Sequence, residues 1–254
     1  MITRGFPKPF FHIGLMVALV MAAGPVLSAA QGKNTDEVRS LIEKKFEQEG
    51  LLIGNDIHVT VENQTITLSG TVQTLALKEQ AGRDAQSVAK GFKVLNNLVP
   101  ANPGLSSPLV AETLMTAIEK SPDYFIFDFV AVGVNPQGEV TLKGWASFMK
   151  SADEFVKLAE SQPGVLKIKN EIQRIMITDD DRTLRTRVAE LIYKHPIGPS
   201  FSRMNGPIHI LVERGVVTLV GTVARESDAT EIENMVRTRS EAISVVNMLR
   251  VRKK

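Results

Sequence analysis

Three of the four histidines lie beyond residue 30: His58, His195 and His209. Imidazole titrates near neutral pH and ligates metals, so acid–base or metal chemistry would start here. No pair of them stands at metal-ligand spacing, and the chain has no cysteine, which leaves a structural zinc site without a ligand set. No Gly-x-Ser-x-Gly turn presents a nucleophilic serine. Asp179, Asp180 and Asp181 concentrate carboxylates but lack the alternation and closing glutamate of a calcium loop. The same run at a helix start is favourable against the helix dipole. The pattern predicts a protein that is not an enzyme, with no cofactor, no metal and no small-molecule substrate.

Two other sets of residues could recognise a partner. The first is arginine, whose planar fork makes bidentate contacts with phosphate. Residues 177–254 hold 13 bases, ten of them arginine, against 10 acids. Arg225, Arg237 and Arg239 fall on or beside a helix and Arg250 and Arg252 on a strand, making a candidate headgroup-binding patch. The alternative is a solvated surface balanced by Glu226, Asp228, Glu231, Glu233 and Glu241. The second set is aromatic: Phe125, Phe127 and Phe129 alternate on one face, and Trp145 lies further on. Such a surface fills a contact between units or dips into a lipid interface. Units too small to stand alone favour the first.

The elements that carry these residues come from a repeat. Ile66-Thr67-Leu68-Ser69-Gly70, Val140-Thr141-Leu142-Lys143-Gly144 and Val217-Thr218-Leu219-Val220-Gly221 share one pattern. Each glycine precedes an asparagine by 26 residues (Asn96, Asn170, Asn247), while the glycines stand 74 and 77 apart. Constant inner and variable outer spacing means three copies of one unit with unequal linkers. Each copy reads as a helix, an alternating hairpin, a second helix and a last strand. The first helix is expected to start at Thr35 or Asp36 in unit one and at Ser107, followed by Pro108, in unit two. The expected class is α+β: three tandem αββαβ units, each a small mixed sheet with helices packed on one face. The units span 34–100, 106–176 and 179–254. A glycine within a strand marks a bend or a close backbone approach, and the approach expected here is that of a crossing helix. The apolar linker Ile175-Met176-Ile177 is expected to pack on a neighbour.

Residues 1–30 read as a leader rather than as fold. Arg4 and Lys8 precede a nearly unbroken apolar run from Phe10 to Gly24, and Ser28-Ala29-Ala30 offers a cleavage site after Ala30. The run is about 15 residues, short of the roughly 20 that cross a bilayer as a helix. Of 30 bases the leader removes two, leaving 28 against 28 acids. A neutral chain is not a general polyanion binder, so no nucleic acid is expected. An exported chain without cysteine has no disulfide staples. A unit of about 65 residues buries only about 60% of its unfolded surface. The three units are therefore expected to touch.

The helix, the hairpin ending in Val/Ile-Thr-Leu-x-Gly, the second helix and Val-x-Asn-x-Leu together resemble the BON family (bacterial osmotically inducible and nodulation proteins). The resemblance covers nearly all of the chain beyond the leader. It implies a periplasmic or outer-membrane-associated location and a binding role, often contact with anionic phospholipid headgroups. It also implies support of the envelope under osmotic stress. The other reading is a periplasmic interaction scaffold or chaperone-like module that receives an envelope protein. The family supplies no catalytic residues. Its shared positions, here Gly70, Gly144, Gly221, Asn96, Asn170 and Asn247, are architectural. Three units depart from the usual two, and Trp145 stands where the other copies have Thr71 and Thr222.

Overall fold

The computed structural model describes residues 26–194 and 206–252. The leader up to Pro25, and with it most of the expected export signal, lies outside these residues, as does His195. Unit one comprises α1 (Val26–Gln48), β1 (Asp56–Glu62), β2 (Thr65–Val72), α2 (Leu75–Val88) and β3 (Lys93–Pro100). Unit two comprises α3 (Ser107–Glu119), β4 (Phe129–Val134), β5 (Glu139–Ala146), α4 (Met149–Glu160) and β6 (Lys167–Arg174). Unit three comprises α5 (Asp179–Tyr193), β7 (Ile208–Glu213), β8 (Val216–Val223), α6 (Glu226–Arg239) and β9 (Ser244–Val251). Each unit is αββαβ, as its sequence periodicity predicts.

Every sheet has the same order: hairpin strand, glycine-bearing strand in the centre, last strand. The first pair is antiparallel and the second parallel, because the second helix returns the chain to the end where the central strand began. In units one and three the two strands of the hairpin meet at turns with positive φ (Asn63 and Gln64; Arg214 and Gly215), the tight turns that match strand twist. Period-2 residues face the helices. Ile66, Leu68 and Val72 meet Ile42, Phe46, Ala81 and Ala85 in unit one. Val140, Leu142 and Ala146 meet Leu114, Ile118 and Phe155 in unit two. Val217, Leu219 and Val223 meet Val188, Ile192, Ile232 and Val236 in unit three.

Three expectations need correction. The repeated glycine does not make room for a helix. Gly70, Gly144 and Gly221 take φ of +116°, +151° and +131°. A Cβ there would overlap the carbonyl oxygen of Asp56, Phe129 and Pro207 respectively. The close neighbour is the start of the adjacent hairpin strand, so the glycine kinks the central strand against its antiparallel partner. The first helix runs back to Val26, which places Thr35 and Asp36 inside it; Ala29, Ala30, Gln31 and Lys33 are helix formers that extend the run. In unit two the cap is Ser106 rather than Ser107, whose hydroxyl instead donates to the Asn135 carbonyl in the hairpin turn (3.0 Å).

Helix α5 begins with a capping box. Asp181 N–H donates to Thr178 Oγ1 (3.1 Å) and Thr178 N–H to Asp181 Oδ2 (3.2 Å). The same carboxylate accepts the Arg214 and Gly215 amides (3.1 and 2.7 Å), tying the helix start to the β7–β8 turn. Burial pushes the Asp181 carboxyl up, but the Gly215, Thr178 and Arg214 donors outweigh it and the net shift is downward. Asp179–Asp181 thus serve the helix start.

Candidate interaction surface

The face of each sheet turned away from its helices decides how the units meet. In units two and three these faces are pressed together. Phe129 and Trp145 lie opposite each other across β4 and β5 and pack on Leu211 and Val220 of the unit-three sheet. Ile175 and Ile177 of the linker close the same cluster. Met176 between them points out, 65% exposed.

The segment before β4 stitches the junction. Ile126 is buried in the core of unit three, and its carbonyl accepts the Ile210 amide on the free edge of β7 (2.7 Å). Tyr124 stays in the core of unit two, edge-on to Phe155 (5.6 Å), yet its ring lies 5.1 Å from that of His209. Phe129 flanks the same imidazole at 5.8 Å. Phe125 and Phe127 face Ala189 and Tyr193 of α5 across an apolar groove of about 460 Å³. The four predicted aromatics therefore sit at or beside the contact between units.

Buried charge accompanies this packing. Asp128 is fully buried and accepts the Ser147 amide (2.6 Å) and the Phe125 amide (3.0 Å). Burial pushes its carboxyl up, while those amides and the Arg185 charge pull it back. Arg185, one of the ten arginines of residues 177–254, is 5% exposed and stacks on Phe127, its guanidinium carbon 4.6 Å from the ring centre. Its place was visible in the helical spacing Asp181, Arg185, Val188, Ile192, all buried on α5. His209 is buried and burial holds its pKa below the usual imidazole range. Nothing in the sequence distinguishes His209 from His58, which holds the equivalent strand position and pairs with Asp56 in solvent (3.2 Å).

The arginines divide. Arg225 precedes α6 and pairs with Asp228 (2.9 Å), and Arg237 pairs with Glu233 one turn back. Arg187, elsewhere in the set, pairs with Glu241. Arg239, Arg250 and Arg252 make no ion pair among the described residues. Arg250 shares the outer face of β9 with Val246 and Met248, which are 45% and 44% exposed, and Arg252 follows at the same alternation. The structure thus separates the predicted patch into Arg225 and Arg237, neutralised by local acids, Arg239 unpaired among the described residues at the end of α6, and a strand face carrying apolar and cationic side chains together.

The recurrent asparagines join the last strand to its surroundings. Asn96 Nδ2 donates to the Lys78 carbonyl of α2 (2.6 Å), and Asn247 Nδ2 to the Ala229 carbonyl of α6 (3.2 Å) and to Glu233 (2.9 Å). In all three units the side-chain oxygen accepts the amide two residues on, at Leu98, Ile172 and Leu249 (3.4, 3.0 and 3.0 Å). Among the described residues no group of three or more histidine, cysteine or acidic side chains is placed to hold a metal ion. No described helix is long and apolar enough to cross a membrane.

Three αββαβ units, the second and third joined through their outer sheet faces and all carrying the glycine and asparagine at matching places, define a tandem-repeat α+β protein. The BON domain family matches residues 34–101, 108–175 and 180–253, and the chain belongs to it. Membership suggests a periplasmic or envelope protein. No curated protein matches the sequence. Among solved structures the chain is similar to CdsD, a structural protein of the type III secretion system of Chlamydia trachomatis. That match has 14% identity over 85% of this chain and 94% of the other, with a TM-score of 0.24. It is also similar to the PrgH periplasmic domain, at 10% identity over 80% and 99%, with a TM-score of 0.22. Superposition this loose carries no functional meaning.

Proposed function

We propose that the chain is a non-enzymatic periplasmic protein that contacts anionic phospholipid surfaces and supports the envelope under osmotic stress. Export would use the N-terminal leader, cleaved after Ala30. The observation that carries the reading is the outer face of β9. It lines up half-exposed Val246 and Met248 with Arg250, and Arg252 continues the row. Side chains of this kind suit a bilayer interface, where apolar groups enter the acyl boundary and arginine meets phosphate. Arg225 and Arg237 contribute little, since Asp228 and Glu233 already neutralise them.

Co-sedimentation with liposomes, with and without anionic lipid and at low and high salt, tests this. Binding is expected only with anionic lipid, and weaker in salt. A charge near such a surface is worth roughly 1 kcal/mol, so removing Arg250 and Arg252 should weaken binding by about thirtyfold. Arg225→Ala and Arg237→Ala should leave it within about twofold. Equal binding to zwitterionic and anionic liposomes would sink the proposal. A single dominant protein adduct on crosslinking in the native envelope would favour the interaction-scaffold reading.

A further inference from the structure

Each sheet ends on a parallel strand with one open edge. Open edges offer unpaired amides and carbonyls to any strand that arrives. Which amides point outward follows from the ladder. In β3 the Lys93 amide donates to the Gln64 carbonyl (2.9 Å), and just beyond it the Ala101 amide donates to Val72 (2.7 Å). Odd-numbered amides of that strand therefore face β2, and the Leu98 amide faces out. In unit two the Ile175 amide donates to Ala146 (3.1 Å), so the Ile172 amide faces out of β6. In unit three the Arg252 amide donates to Val223 (2.9 Å), so the Leu249 amide faces out of β9. These three outward amides are the ones taken by Asn96, Asn170 and Asn247.

We infer that the recurrent asparagine guards the sheet edge, and that without it β9 accepts a strand from a second copy of this chain. The asparagine oxygen stands where the carbonyl of an incoming strand would stand. Other guards differ from unit to unit. In unit one Pro100 ends β3 at an outward position with no amide to offer. In unit two the outer face of β6 carries the Lys169–Glu171 pair (2.6 Å). Strand β7 has its free edge bonded to Ile126. Strand β9 has neither charge pair nor proline: Val251 stands where unit one has Pro100, and its outer face shows Val246 and Met248. Asn247 is therefore the guard whose loss exposes most. The occupant is a second copy because every copy carries the same long, weakly charged strand, able to pair with itself across a two-fold axis.

Sedimentation velocity on the purified chain over a wide concentration range, with thermal melts in parallel, tests the inference. Asn247→Ala should self-associate about tenfold more tightly than wild type, the size expected when one ordinary hydrogen bond becomes available to a partner strand. Asn247→Asp combined with Glu233→Gln keeps the acceptor but loses the helix bond; it should melt lower yet stay monomeric. Val251→Pro in the Asn247→Ala background should restore the monomer. Should Asn247→Ala fail to fold, Asn170→Ala carries the test, since Asn170 makes no bond to α4 among the described residues. It should fold and associate, more weakly because of Lys169 and Glu171. Monomeric behaviour of the alanine variant that folds, or association untouched by Val251→Pro, overturns the inference.

Discussion

His58 in unit one and His209 in unit three occupy one strand position in two copies of one fold. His58 stands in water beside Asp56, whereas His209 is enclosed by Tyr124 and Phe129 of unit two. The helix-facing cores of the two units are built alike. The difference lies in what covers the outer face of each sheet. In unit one that face is open: His58, Thr60 and Thr71 are exposed and Val99 is 57% exposed. In unit three Leu211 and Val220 on the same face are 5% exposed beneath Phe129 and Trp145. Unit one meets unit two by a smaller contact, Leu75 at the start of α2 resting on the unit-two core. Sequence repetition thus conceals an unequal assembly, with units two and three forming a block to which unit one is loosely attached.

The largest test of this inequality uses the glycines. Gly144→Val forces a β-branched residue to positive φ against the Phe129 carbonyl, and Phe129 is itself part of the junction. It should cost about 3–5 kcal/mol and lower the unfolding transition of units two and three together, read by calorimetry. Gly70→Val should cost as much locally and leave that transition in place. A single transition shifted equally by both would break the comparison.

Next come the outer-face aromatics. Trp145→Ala removes a large side chain from the junction and should cost about 2–3 kcal/mol in denaturant titration. Thr71→Ala, at the same position in unit one, should stay within about 0.5 kcal/mol of wild type.

Acid gives a smaller effect. Burial holds the His209 pKa down in the folded state, so the unfolded chain takes up its proton first, near pH 6.5. Stability is therefore full above about pH 6.5 and falls as pH drops toward the folded-state value. Asp128 runs the other way: burial raises its folded pKa, so its protonation in the fold offsets part of the loss at lower pH. His209→Gln should flatten the decline below about pH 6.5 in a series of thermal melts. An unchanged slope would remove His209 from the account.

The smallest effect belongs to the surface. Thr178→Ala deletes the hydroxyl that accepts the Asp181 amide at the start of α5 and should cost about 1 kcal/mol in the melt of units two and three. The transition of unit one should not move.

Much of this was legible in the residues. Alternation at Ile66, Leu68 and Val72 and the helical spacing of Ile42 and Phe46 point to their common core, and the repeat supplies the order of elements three times. That Phe125, Phe127 and Phe129 share the face opposite the core-facing Val130 was legible in their alternation. Other features were not. The kink at Gly70, Gly144 and Gly221 faces a strand rather than a helix, because the backbone neighbour of a central strand comes from pairing and not from local pattern. The arginine set was only partly divisible by sequence: Asp228 and Glu233 stand three and four residues from Arg225 and Arg237, but that Arg250 on its strand finds no partner among the described residues was not legible. Arg185 carried a hint in its spacing, but only unit two, through the Phe127 ring and the Asp128 charge, explains why a charge is buried there.

What the sequence determines by itself is the αββαβ unit, its triplication and its apolar interior. These follow from local propensity and period, which repeat wherever the residues repeat. The tertiary structure decides which outer faces are covered and which edge is least guarded. Both depend on a residue from another unit or another strand, whereas Arg225 and Arg237 find their partners three and four residues away. Pairing between units or strands leaves no period in the chain, so identical strand positions such as His58 and His209 end in opposite surroundings.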